Sequence, residues 1–162
     1  MTSVIKVDSI QNTSGTVITG IVGAEVKEIT AESTRSSATS FADDLDFGSY
    51  TPKLTTSTIL IQGVANMDSA NSAYCYIKWV VNGTDYVTDG SLRTHGFYSG
   101  TSLNAHGAVP STIITSVSNT DGSTISVKCQ GQTSTGTLYV NRTATDSGTG
   151  SPSSVLFLEL AP

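Results

Sequence analysis

The residues able to do chemistry are few and scattered. His95 and His106 are the only histidines, eleven residues apart in a glycine-rich stretch, with no carboxylate beside them at metal-ligand spacing. A metal on a symmetry axis needs only one imidazole per subunit. Without that axis they read as two loop histidines. Asp43, Asp44 and Asp46 form a small acidic cluster. Calcium loops space their oxygen ligands over twelve residues around a central glycine, and this cluster lacks that pattern, so it reads as a solvated strand end. Cys75 and Cys129 have no CxxC neighbour. We expect two free thiols acting as small core hydrophobes, the alternative being a disulfide between adjacent strands. No GxSxG elbow and no plausible Cys–His nucleophile pair is present. Glu25, Glu28 and Glu32 lie on a polar first strand and Glu159 in the last. They read as solvated, with Glu159 a candidate for pairing at a subunit contact. The sequence therefore assigns no catalytic residue, no metal ligand and no cofactor site.

The best candidate recognition surface is the loop around His95, Phe97 and Tyr98. Aromatic side chains between Gly and Ser are adaptable and sticky at low entropy cost. The plainer reading is that Phe97 and Tyr98 cover one end of the domain. Tyr74 and Tyr76 point together from one strand, and with Tyr98 they could supply an aromatic platform for a glycan.

These residues must be held by β-structure. Of the 162 residues, Ser and Thr make up roughly three in ten, only 13% are charged and 37% are apolar. Thr, Val, Ile and Tyr suit a half-buried pleated surface, and Gly, Asn, Asp and Ser suit tight turns. Residues 1–23 read as an extended N-terminal arm. It contains the apolar Val4, Ile5, Val7 and Ile10, and it is too short to form a core of its own. Residues 24–162 then show short period-two runs broken by turn signals. The runs are Val26–Arg35, Phe41–Phe47, Thr58–Ala65, Ala73–Val81, Val109–Ser118, Ser123–Gln130, Thr137–Arg142 and Val155–Leu160.

Alternation assigns the core. Ile59 and Ile61 face inward with Gly63 and Ala65, and Cys75, Ile77, Trp79 and Val81 form a second inward set. Ile125, Val127 and Cys129 form a third, and Leu138 and Val140 a fourth. Lys78 places Tyr74, Tyr76 and Val80 on the outer side of their strand. Asn82-Gly83 favours a type I′ turn, since both central residues need positive φ. That turn sets Trp79 opposite Tyr86 and Val81 opposite Thr84. Val155–Leu160 is apolar on both faces, as a central or interface strand would be. About eight antiparallel strands and no convincing helix predict an all-β fold: a jelly-roll-like, two-sheet β-sandwich with an extended arm. A fibronectin-like sandwich is the next choice.

The net charge of −5 is mild, with no basic stripe to neutralise phosphates, so no nucleic-acid partner is expected. No apolar run approaches a membrane span, and the N-terminus lacks the continuous apolar segment of a secretory signal.

Four stretches carry a resemblance. The opening Ile5-Lys6-Val7-Asp8 continuing through Ile10-Gln11-Asn12-Thr13-Ser14-Gly15-Thr16 resembles the start of many small phage virion proteins. Phe47 with Thr51-Pro52-Lys53 and the following TILIQG strand, Gly136-Thr137-Leu138-Tyr139-Val140-Asn141-Arg142, and the closing SSVLFLEL run are similar to further motifs of that group. Their order spans nearly the whole chain. The resemblance implies a β-sandwich that oligomerises, and it supplies no catalytic residue. It further implies a virion location, made in the bacterial cytoplasm, as a tail-fibre-like or other structural component. The expected partners are the chain itself, as a homotrimer, and other virion proteins of the tail or the major capsid. A host-surface glycan is a further candidate. Two other roles stay open: a capsid decoration protein clamping the head surface, and a carbohydrate-binding module.

Overall fold

A computed structural model describes residues 10–11, 17–18, 20–69, 73–86, 97–98, 109–142 and 152–162. Among them lie thirteen strands and no helix. They are β1 (Ile10–Gln11), β2 (Val17–Ile18), β3 (Ile21–Ile29), β4 (Ser33–Arg35), β5 (Ala42–Tyr50), β6 (Ser57–Ser69), β7 (Tyr74–Val81), β8 (Thr84–Tyr86), β9 (Phe97–Tyr98), β10 (Val109–Asn119), β11 (Ile125–Thr133), β12 (Leu138–Val140) and β13 (Ser153–Leu160).

Two antiparallel sheets pack face to face. The larger has the order β3-β13-β6-β10 through its main part, with β12 and then β4 extending from the far end of β6. The smaller runs β5-β11-β7-β8, with β9 beside the start of β7. The main strands alternate between the sheets as the chain proceeds: β3, β5, β6, β7, β10, β11, then β13 returning between β3 and β6. That winding is a jelly-roll sandwich. β1 and β2 pair only with each other, Ile10 opposite Ile18.

The sheets meet through alternate side chains. Ile59, Ile61, Ala65, Ile77, Trp79, Val127, Cys129, Leu138, Val140, Val155 and Phe157 are all at most 1% exposed. Cys75 and Ile125 join the same cluster. Phe47 stacks on Trp79 with centroids 5.8 Å apart, and Tyr50 of the smaller sheet stacks on Phe157 of the larger at 5.4 Å. Gly63 exists so that Trp79 can reach the opposite sheet: a Cβ built there would lie 2.7 Å from the indole Cη2.

The 82–83 turn forms as its sequence requires. Asn82 has φ 49° and Gly83 φ 76°, and the pairs are Trp79–Tyr86 and Val81–Thr84. Both cysteines are buried and free. Cys75 pairs across from Thr133 and Cys129 from Trp79, which separates the thiols along the sheet and leaves the disulfide alternative without geometry. Burial pushes the Cys75 thiol up to about 12 and Cys129 well above its ordinary value, so both are inert.

Several boundaries differ from the sequence reading. The run Val26–Arg35 is two strands in one sheet, β3 and β4, separated by residues 30–32. β3 begins at Ile21 because Ile21 pairs with Leu160 and Gly23 with Glu159. The sandwich thus reaches into the stretch read as arm. β6 continues past Ala65 to Ser69, although Asn66, Asp68 and Ser69 are polar. Their burial is offset by hydrogen bonds the sequence does not display: Ser153 Oγ accepts from the Asn66 amide at 2.9 Å, and Asn66 Nδ2 donates to the Pro152 carbonyl at 2.7 Å.

Candidate functional site

Each sheet turns one face outward, and the two faces differ in chemistry. On the larger sheet, register fixes rows of outward residues across four strands. One row is Val26, Leu156, Gln62 and Ile114. The next is Ala24, Leu158, Leu60 and Ser116, and beyond it lie Glu28, Ser154, Val64 and Thr112. Leu160 and Ile21 close the arm end of the face. Val26 is 64% exposed, Ile21 64% and Ile114 72%, while Leu60, Val64, Leu156, Leu158 and Leu160 are half-buried. Glu28 is the one ionisable group in these rows. A shallow depression of about 270 Å3 sits at their centre, with Val26, Val64 and Leu156 on its walls.

β13 contributes to this face by being apolar on both sides, with Val155 and Phe157 in the core. Its leucines point out and its acid points in. Glu159 is 0% exposed, which corrects its reading as solvated or intersubunit. Its Oε2 accepts from the Tyr50 hydroxyl at 2.8 Å and the Lys53 amide at 2.7 Å, and Oε1 accepts from the Leu54 amide at 2.9 Å. Desolvation pushes this carboxyl up, but the two amides and the phenol outweigh it and hold the group below its ordinary value. Tyr50 moves the other way, to about 12, first through burial and then through the adjacent carboxylate. The phenol keeps the proton and Glu159 the charge. Together they fasten the loop after β5 to the C-terminal strand.

The smaller sheet turns a different surface outward. Lys128 contacts Asp43 at 2.6 Å and Asp46 at 3.6 Å, Lys78 contacts Asp85 at 3.0 Å, and Gln130 Nε2 donates to Asp43. The hydrogen bonds from Lys128 and Gln130 hold the Asp43 carboxyl below its ordinary range. The Lys78 ammonium also lies 4.9 Å from the Phe41 ring centroid. A depression of about 380 Å3 opens among Asp43, Asp85, Lys128 and Gln130. Further along β7, the Tyr74 and Tyr76 rings stack at 6.1 Å with 21° between their planes.

The acidic cluster therefore divides. Asp43 and Asp46 are exposed strand groups, as read from sequence. Asp44 is not solvated, because its side chain is 7% exposed and takes both Arg35 Nε at 2.8 Å and Arg35 Nη2 at 3.0 Å. It also accepts from the Gly131 amide, while the same guanidinium donates to the Gly131 carbonyl at 2.7 Å. This part-buried clamp joins β4 to β5 and β11. Sequence reasoning missed it because the partners lie nine and 87 residues away.

Among the recognition candidates, β9 pairs Tyr98 opposite Tyr74 and Phe97 opposite Cys75. The side chains of Phe97 and Tyr98, and all of His95 and His106, lie outside the described residues. So do Val4, Ile5 and Val7 of the arm, while Ile10 is placed in β1 by its backbone. Among the described residues no group of three or more His, Cys, Asp or Glu could hold a metal ion. No helix there is long and apolar enough to cross a membrane.

No family model and no curated protein matches this chain. Solved structures of infectious bursal disease virus overlap it weakly. The Gx strain structure has 14% identity and a TM-score of 0.38, covering 97% of this chain and 41% of that one. The VP2 subviral particle has 13% identity and a TM-score of 0.37, covering 98% and 42%. The chain thus spans about two-fifths of those proteins' length. At these scores the overlap carries neither family nor function across.

Proposed function

We propose that this protein is a non-enzymatic structural subunit of a bacteriophage virion. It forms a homo-oligomer, a trimer, and stands on the particle as a tail-fibre-like appendage anchored by its N-terminal arm. The observation that carries the self-assembly is the outer face of the larger sheet. An antiparallel sheet with one solvated side alternates apolar-in with polar-out. The smaller sheet obeys that rule, and the larger does not. Contiguous exposed apolar patches of several hundred Å2 mark contact surfaces.

The occupant is a second copy of the chain. At net charge −5 two copies repel, and this face, with Glu28 alone ionisable, is where they approach at least cost. With strands ~4.8 Å apart and ~3.3 Å per residue, the four-strand face spans roughly 400 Å2 in projection. A stable contact needs about 800 Å2 per partner. The arm, with Val4, Ile5, Val7 and Ile10, supplies the remainder. The virion assignment draws on the four motif stretches of the sequence. Light scattering on the intact chain tests assembly: a trimer is expected, and a monomer at high micromolar concentration rejects it. Mass spectrometry of separated heads and tails tests the appendage placement. Recovery in tail-less heads alone would replace it with capsid decoration.

A second reading has its own observation, the stacked Tyr74–Tyr76 pair on the outer face of β7. Such a surface suits a host glycan, so the appendage would also be the adhesin. A glycan array with the intact protein and with Tyr74→Ala/Tyr76→Ala tests it. Binding that survives the double substitution rejects this site.

A further inference from the structure

The geometry points to a specific route of self-assembly: the arm of one copy adds as a strand to the open edge of β10 in a neighbouring copy. This rests on the self-assembly reading above and deepens it. β10 runs eleven residues, Val109–Asn119, without one Asp, Glu, Lys or Arg. It pairs with β6 along its whole length, and β6 is its only hydrogen-bonded strand among the described residues.

Edge strands present unpaired N–H and C=O groups, and proteins guard them with charge, bulges or short length. The other long edges here are guarded. β3 carries the Glu25–Lys27 ion pair at 3.0 Å and Glu28. β5 carries Asp43, Asp44 and Asp46 and meets β11 through two register shifts. β10 is long, regular in register and uncharged, and its one guard, Pro110, stands at its start, four residues from Ile114. Its outward Ile114, the most exposed large hydrophobic residue of the described chain at 72%, stands at that edge between Thr112 and Ser116.

A segment of matching composition is in the same sequence. Val4–Ile10 has strand-like composition, and Ile5 and Val7 fall on one side, spaced to flank a residue such as Ile114 in an adjoining strand. Strand addition of this kind draws affinity from main-chain hydrogen bonds and register from alternate side chains.

The donor is another copy because of where the arm leaves the sandwich. Ile21 lies on β3, the opposite edge of the sheet from β10, three strand spacings or roughly 14 Å away. Each subunit therefore offers an acceptor edge on one side and a donor arm on the other. A heterologous contact of that kind closes into a ring when the rotation permits, which suits a trimer.

Two singly substituted full-length chains decide the matter, one with Val7→Cys and one with Ile114→Cys, mixed and oxidised. The native thiols are buried, so the unsubstituted chain is the background. A covalent heterodimer forming at least tenfold faster than with Val26→Cys on the β3 edge is expected. Exclusive intramolecular closure in a chain carrying both Val7→Cys and Ile114→Cys overturns the exchange. Absence of any cross-link while light scattering still shows an oligomer overturns this contact and leaves self-assembly standing. A monomeric unsubstituted chain overturns both. Ile114→Lys, at a solvent-facing position, is expected to weaken self-association at least tenfold with an unchanged circular dichroism spectrum. Unchanged association would overturn the proposal.

Discussion

The two outer faces of this sandwich are built by the same alternation and end with opposite chemistry. On the smaller sheet, Lys78, Lys128, Asp43, Asp46 and Asp85 pair across strands and remain in water. On the larger sheet the corresponding rows are mainly leucine, valine, isoleucine and alanine, interspersed with the uncharged Gln62, Thr112, Ser116 and Ser154, and Glu28 alone is charged. Core packing does not explain the difference, because both inner faces are already filled. β13 shows this most clearly. It spends Glu159 on the interior, where a carboxylate must be desolvated, and turns Leu156, Leu158 and Leu160 to the outside. Val155 and Phe157 already fill the inner side of this strand, so the core does not need the leucines. These outward leucines are what the proposed self-assembly would bury.

The sharpest way to break the comparison is to exchange the character of the faces. Val26→Lys together with Ile114→Lys is expected to weaken self-association at least a hundredfold, about 2.7 kcal/mol, measured by light scattering across a dilution series. Lys128→Ala on the other face is expected to leave the oligomer unchanged. If the Lys128 variant dissociates and the double lysine variant does not, the contact surface has been placed on the wrong sheet.

Glu159 gives the next effect. Glu159→Gln keeps the shape but sets an amide nitrogen or a neutral oxygen against two amides and a phenol. Loss of charge-assisted bonds at a buried site costs about 2–3 kcal/mol, read from denaturant midpoints. The pH dependence has a fixed sign. The folded carboxyl lies below its ordinary 4.5, so its stabilisation is complete above that value and is lost as pH falls through the folded value. Tyr50 bounds the other side: its folded value near 12 against 10 in the open chain makes stability decline as pH rises between them. In the Gln variant the acid limb of the stability profile should flatten. An unaltered limb would show that other carboxylates set it.

Much of this was legible from residue order, and the unreadable part has a common cause. The Asn82-Gly83 hairpin depends on two φ values and local alternation, so its register followed directly. The inward sets at Ile59–Ile61, Cys75–Val81 and Ile125–Cys129 likewise need only a period of two. Glu159, Asp44 and Asn66 were opaque because their partners are supplied from distant sequence: Tyr50 across 109 residues, Gly131 across 87, and Ser153 across 87. Polarity alone placed Glu159 and Asp44 in water and ended the strand before Asn66. The apolar outer face was half legible, since Val155–Leu160 announced itself as greasy on both sides. Its neighbours Val26 and Ile114 became part of one surface only when β3 and β10 took their places in the sheet.

A smaller effect separates the inside of the larger sheet from its outside. Gly63 has Trp79 on its inner side and the floor of the apolar depression on its outer side. Gly63→Ala adds one methyl group inward, against a ring that is fully buried and stacked on Phe47. Overpacking of this kind costs about 1–2 kcal/mol, seen as a lower thermal midpoint. The outer rows are untouched, so the assembly constant per folded subunit should hold. A change in association without a change in stability would mean that this depression itself receives the neighbouring copy.

The smallest expected effect belongs to the polar face. Asp85→Asn removes the partner of Lys78, whose ammonium retains the Phe41 ring beneath it. The Asp85 side chain is 42% exposed, so water and salt screen the pair, and such surface contacts contribute roughly 0.2–1 kcal/mol. The shift in denaturant midpoint should be near that lower bound and vanish at molar salt, because the Debye length there falls to about 3 Å. The oligomer should be indifferent to it. A surface whose charges can be removed singly at so little cost is maintained for solubility or for a ligand, whereas the opposite face also exposes Val26, Ile114 and the β13 leucines, which gain nothing from water. If Asp85→Asn instead disrupted assembly in a salt-dependent way, ion pairs of the smaller sheet would be the contact. The leucines of β13 would then need a different explanation.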